Sequence, residues 1–130
     1  MKNILIIGCG LIGSSLLRVI DKKKICKKMF VYEKSKANII KIKKLKLPCL
    51  ITNNFKNVIP KMDMIIFCTP MSEYAKIILK INKYLTSKTI ITDVGSSKEI
   101  PLALIKKKLK KGISWTSSHP ISGSEVSGPE

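Results

Sequence analysis

Short, almost purely apolar runs alternate along this chain with longer stretches in which apolar residues recur every three or four positions among lysines. Ile4-Leu5-Ile6-Ile7, Met29-Phe30-Val31-Tyr32 and the segment 62–68 lack polar alternation, which suits parallel strands covered on both faces. Leu11, Ile12, Leu16, Val19 and Ile20 keep helical spacing over about 11–20. Ile39, Ile40 and Ile42 keep it behind a Ser35 cap, and Leu102, Ile105 and Leu109 keep it over about 101–110. A further helix is predicted over 72–84. Lys46-Leu47-Pro48 ends the second helix before a short strand near 49–51, and residues 53–60 read as polar turn material. The strand over 62–68 stops at Thr69-Pro70, because proline cannot extend a ladder. A fifth strand is predicted over 88–92 and a sixth over 112–116. Strands alternating with helices predict an α/β fold, an open, mainly parallel, doubly wound sheet with right-handed crossovers. At 130 residues the chain is sized for one domain, 1–130.

The junction after the first strand carries the most specific chemistry. Gly8-Cys9-Gly10-Leu11-Ile12-Gly13 joins strand to helix, and its three glycines have separate duties. Gly8 permits a sharp turn, Gly10 lets a pyrophosphate approach the backbone, and Gly13 lets the helix pack closely on the strand. N–H groups at the start of that helix, including those of Leu11 and Ile12, would point at the phosphates, with the helix dipole adding favourable charge. Glu33, 20 residues after Gly13 and at the end of the second apolar run, suits a carboxylate that accepts hydrogen bonds from ribose hydroxyls. Together these features predict a dinucleotide site of the Rossmann kind. Glu33 favours NAD, because its charge repels a 2′-phosphate; Lys34 and Lys36 leave NADP open.

Charge changes this picture little. Twenty-five basic against eight acidic residues give a net charge of +17, a balance that ordinarily raises nucleic acid or an anionic membrane as partners. The lysines, however, are spread over predicted helix faces and turns, and Arg18 is the single arginine. Arginine forks and interleaved aromatics are missing, so a solvated basic surface is expected and no nucleic-acid partner. Cys9, Cys26, Cys49 and Cys68 stand singly, without metal-ligand or redox spacing, so no metal is expected and a reducing compartment is. No basic leader and no membrane-length apolar run is present, which predicts a cytoplasmic protein without membrane contact.

The glycine turn, Glu33, Thr69-Pro70, Asp93 to Ser97 and His119 each follow the end of a predicted strand and would crowd one rim of the sheet. Cys68, Thr69 and Pro70 are a cofactor wall beside the nicotinamide ribose or, for Thr69 and Pro70, only a strand terminator. Ser96, after the fifth strand, could hydrogen-bond a substrate oxygen, or serve as a turn or cap residue in Asp93-Val94-Gly95-Ser96-Ser97-Lys98. His119 is the single histidine; small and hydroxyl neighbours leave room for a substrate, and its titration range suits proton abstraction near neutral pH. Ser124 lies a few residues beyond it, and Glu125 is a substrate-site group or a surface charge.

Gly8 to Leu16, Phe67-Cys68-Thr69-Pro70, Thr92 to Lys98 and His119-Pro120-Ile121-Ser122-Gly123-Ser124-Glu125-Val126-Ser127-Gly128-Pro129 together resemble the prephenate/arogenate dehydrogenases of tyrosine biosynthesis. The last block is the discriminating one, since glycine turns occur throughout nucleotide-binding enzymes. The resemblance covers essentially the whole chain but only the family's N-terminal half. It implies NAD(P)-dependent oxidative decarboxylation of prephenate or arogenate. The residue matching His119 would accept the hydroxyl proton, the one matching Ser96 would hold that hydroxyl and the histidine, and Ser124 and Glu125 would face the substrate. Complete family members continue into a helical domain that dimerises them and grips the substrate carboxylates. The family's C-terminal helical domain is absent from these 130 residues, so dinucleotide binding with little or no turnover is expected of them. Two readings stay open beside this one, a non-catalytic Rossmann binding module and another NAD(P)-dependent dehydrogenase acting on a hydroxy or imino acid.

Overall fold

The computed structural model describes residues 2–94 and 108–117. The apolar runs become strands β1 (Asn3–Ile7), β2 (Lys28–Tyr32), β3 (Cys49–Ile51), β4 (Met64–Phe67), β5 (Ile90–Asp93) and β6 (Ser114–Ser117). They form a six-stranded sheet in the order β3-β2-β1-β4-β5-β6, every neighbouring pair parallel. Between them run α1 (Leu11–Lys22), α2 (Lys36–Lys44), a short α3 (Phe55–Val58) and α4 (Tyr74–Ile81). The chain starts at the centre of the sheet, winds outward through β2 to β3, then returns to the other side of β1. Its direction of winding therefore reverses between β1 and β4, where sheets of this kind form their ligand crevice.

Side chains that alternate along each strand explain why the runs are apolar throughout. Leu5, Ile7, Ile65, Phe67 and Ile91 pack on one face with Phe55, Val58, Tyr74, Ile77, Ile78 and Ile81. Ile4, Ile6, Met29, Val31 and Ile66 pack on the other with Leu17, Ile20 and Ile42. A central strand thus has no solvent side on which a polar residue would be free of cost.

The segment 53–60, expected as polar turn material, keeps exposed Asn53, Asn54, Lys56 and Asn57 but sends three residues into the core. Asn54 caps α3, its side chain accepting from the Asn57 N–H, and Phe55, Val58 and Ile59 are buried. Phe55 lies 4.6 Å, centroid to centroid, from the Tyr32 ring. A single helical turn is too short for periodicity to reveal, and its Asn, Lys and Pro residues read as loop. The helix expected over 72–84 is shorter, with 3-10 turns over Met71–Glu73 and Asn82–Tyr84 flanking α4. β5 starts and ends slightly later than expected and includes Asp93. Asn82 fastens the end of α4 to the approach to β6, donating to the Lys108 carbonyl at 2.9 Å and accepting from the Lys110 N–H at 2.7 Å. Most of the helix expected over 101–110 lies outside the described residues, as do Ser96, His119, Ser124 and Glu125. Among the described residues no helix is long and apolar enough to cross a membrane.

Candidate functional site

The turns after β1 and β4 meet at the reversal point, and glycine makes that meeting possible. Gly8 has φ +88°, and a Cβ there would stand 2.5 Å from Thr69 Cγ2 and 3.0 Å from Thr69 N. Gly13 seats α1 on the same turn, since its Cβ would stand 2.6 Å from the Gly8 carbonyl oxygen. Gly10 is different. It is exposed, and a Cβ there would meet nothing within 4 Å. Two of the glycines therefore close the fold while the third leaves open space above the backbone. Gly10 is also the N-cap of α1, with no side-chain cap and no acidic residue in the first turn, so the leading N–H groups are available to an anion.

Glu33 stands at the end of β2, where the sequence puts it, and is held from two directions. One carboxylate oxygen accepts from the Cys9 N–H at 2.5 Å and the other from the Ser35 N–H at 3.0 Å. The side chain expected to receive ribose hydroxyls thus also buckles the glycine turn to the β2–α2 connection. Each oxygen keeps a second acceptor site, so both duties are compatible.

Gly8, Gly10, Glu33, Cys68, Thr69 and Pro70 line one cleft of about 340 Å³ at the carboxyl ends of β1, β2 and β4. Gly13 is buried beneath it. Leu11 and Ile12 are outside its lining, 87% and 56% exposed on the first turn of α1, and contribute to the site only the open helix end. Burial, with Cys9 and Asp93 nearby, pushes the Cys68 thiol up to about 12, so at neutral pH it is an uncharged wall. Thr69 Oγ1 is buried and has no hydrogen-bond partner among the described residues. An orphaned hydroxyl on the cleft wall, an unfilled space over Gly10 and an uncapped helix start are complementary to a phosphate-bearing polar ligand, so the residues present fit a dinucleotide. Ser96, His119, Ser124 and Glu125 lie outside the described residues, and their relation to the cleft is not part of the site described.

Sequence reasoning raised Lys34 only as a cation that leaves NADP open, and it missed Glu73, Lys76 and Lys80, which line the same cleft. Lys34 Nζ donates to Glu73 Oε1 at 2.7 Å, and Lys76 and Lys80 lie on α4. Their spacing, three and seven residues beyond Glu73, puts them on one helical face, a signal that the apolar pattern of α4 overshadowed. Behind the cleft the Tyr74 hydroxyl donates to the buried Asp93 at 3.1 Å.

Residues 18–130 match the family described as prephenate dehydrogenase, nucleotide-binding domain. Cyclohexadienyl dehydrogenase of Zymomonas mobilis is 30% identical over 131 positions, covering 99% of this chain and 44% of that protein. The chain therefore spans less than half of this curated relative. The crystal structure of prephenate dehydrogenase from A. aeolicus, in complex with hydroxyphenyl propionate and NAD+, superposes with a TM-score of 0.75 at 24% identity, covering 87% of this chain and 40% of that one. Synechocystis arogenate dehydrogenase superposes with a TM-score of 0.67 at 20% identity, over 82% of this chain and 37% of that one. At such identities the structural likenesses establish the fold. The family match establishes more, because it takes in 113 of the 130 residues (18 to 130, inclusive): the chain belongs to the nucleotide-binding domain family of the prephenate dehydrogenases.

Proposed function

We propose that this chain is the NAD-binding part of a dehydrogenase that oxidatively decarboxylates prephenate to 4-hydroxyphenylpyruvate, or arogenate to tyrosine. The observation that carries the reading is the cleft, in which Gly8, Gly10, Glu33 and Thr69 converge from the ends of three adjacent strands. Gly10 and the start of α1 take the pyrophosphate, Glu33 the adenosine ribose hydroxyls, and Thr69 and Pro70 form the wall on the nicotinamide side. The bound dinucleotide supplies the hydride acceptor. Ser96 and His119 follow β5 and β6, whose carboxyl ends border the same rim. His119 takes the proton of the ring hydroxyl, which pushes electrons toward the departing hydride, and Ser96 holds that hydroxyl and the imidazole in line. Ser124 and Glu125 contribute polar contacts to the substrate. Loss of carbon dioxide then aromatises the ring.

Fluorescence titration with NADH tests the cofactor half of this reading. Saturable enhancement is expected, and its absence at millimolar NADH would refute the reading. In whatever form of the protein turns over prephenate or arogenate, His119→Asn lowers turnover by about 10²- to 10⁴-fold and leaves NADH affinity within about twofold. Comparable loss of NADH binding would remove His119 from the catalytic role.

A further inference from the structure

Lys34 follows Glu33 directly, at the place where a cation receives the 2′-phosphate in NADP-binding sites of this architecture. Here its ammonium reaches across the cleft to Glu73, on the 3-10 turn that leads into α4. The pairing holds the Glu73 carboxyl below its ordinary range, and Lys76 and Lys80 add to the effect. Glu73 is thus paired with Lys34 and lies near two further lysines of the cleft lining, Lys76 and Lys80. It acts against a 2′-phosphate twice, by occupying the cation that would receive it and by placing a negative charge next to that position.

We propose that Glu73 is a cofactor-specificity residue, which selects against NADP by holding Lys34 in the ion pair. The inference rests on the dinucleotide reading above and deepens it. Lys34 has 70% of its side chain exposed and Glu73 23%, so solvent weakens the pair and the discrimination is a graded bias that a phosphate can overcome.

NADH and NADPH titrations of the full chain and two variants decide the matter. Glu73→Gln frees the Lys34 ammonium without changing side-chain size. It raises NADPH affinity relative to NADH affinity by about three- to tenfold. Adding Lys34→Gln to Glu73→Gln abolishes the gain. Unchanged NADPH affinity relative to NADH affinity in Glu73→Gln overturns the proposal, and so does a gain that survives in the double variant, since general charge and not Lys34 would then be responsible. Equal melting temperatures for the three proteins establish that the comparison is between folded chains. Failure of the wild-type chain to bind either dinucleotide would instead overturn the reading on which the inference rests, so the two failures are told apart by the wild-type NADH titration.

Discussion

Gly10 and Gly13 lie three residues apart, yet the structure gives them opposite sensitivities. Gly13→Ala drives a Cβ to 2.6 Å from the Gly8 carbonyl oxygen, a backbone atom that can yield only if α1 moves. A cost of about 1–3 kcal/mol is expected despite alanine's better helix propensity, read as a lowered midpoint in denaturant. Gly10→Ala lowers the midpoint less, because nothing stands within 4 Å of the new methyl and only the N-cap preference for glycine over alanine is lost. NADH affinity should nonetheless fall by about tenfold or more, as the methyl fills the space that a pyrophosphate needs. Equal effects of both substitutions on stability would contradict this division. Glu33→Ala couples the two properties, since it leaves the Cys9 and Ser35 N–H groups without their carboxylate and also removes the ribose acceptor. A stability loss of about 1–3 kcal/mol with weakened NADH binding is expected. These positions were legible in the sequence because glycine spacing and a carboxylate 20 residues on are a local pattern. The Lys34–Glu73 pair was not, since its partners are 39 residues apart and only the return of the chain to β4 brings them together.

Among the elements, the strands and most helices were legible because a two-sided core demands uninterrupted apolar runs and helical stripes. α3 was hidden, being a single turn whose Phe55 and Val58 join a core built from residues distant in the chain, Leu5 and Ile7 of β1 among them. Asn54→Ala removes its cap and should cost about 1 kcal/mol in chemical denaturation, although the segment resembles a loop. α4 carries a pH dependence of its own. Burial first, and then the neighbouring Asp93, raise the Tyr74 phenol above its ordinary value. A phenol raised on folding favours the protonated folded state, so its contribution is fully present below the unfolded value of about 10 and is lost as pH rises beyond it. Stability is therefore expected to fall above about pH 10, and less steeply in Tyr74→Phe. Parallel curves for the two proteins would show that Tyr74 is not the titrating group.

For the molecule as a whole, the two apolar layers also decide how the cysteines behave. Burial is the leading cause that raises all four thiols, Cys9, Cys26, Cys49 and Cys68. Alkylation at neutral pH should be slower in the native chain than in the same chain in denaturant, by at least about tenfold for Cys68. Equal rates would mean that the second apolar layer is open to solvent. β6, the outermost strand on its side among the described residues, provides a different kind of access. Its Trp115, the single tryptophan, lies with its ring 5.1 Å from that of Phe67 and 5.9 Å from that of Tyr74. Light absorbed by Tyr74 therefore passes to the indole more efficiently while β6 is docked against the rest of the sheet than after it has left. The chain carries its own optical gauge, and loss of tyrosine-sensitised indole emission during unfolding would time the departure of that edge without any added label.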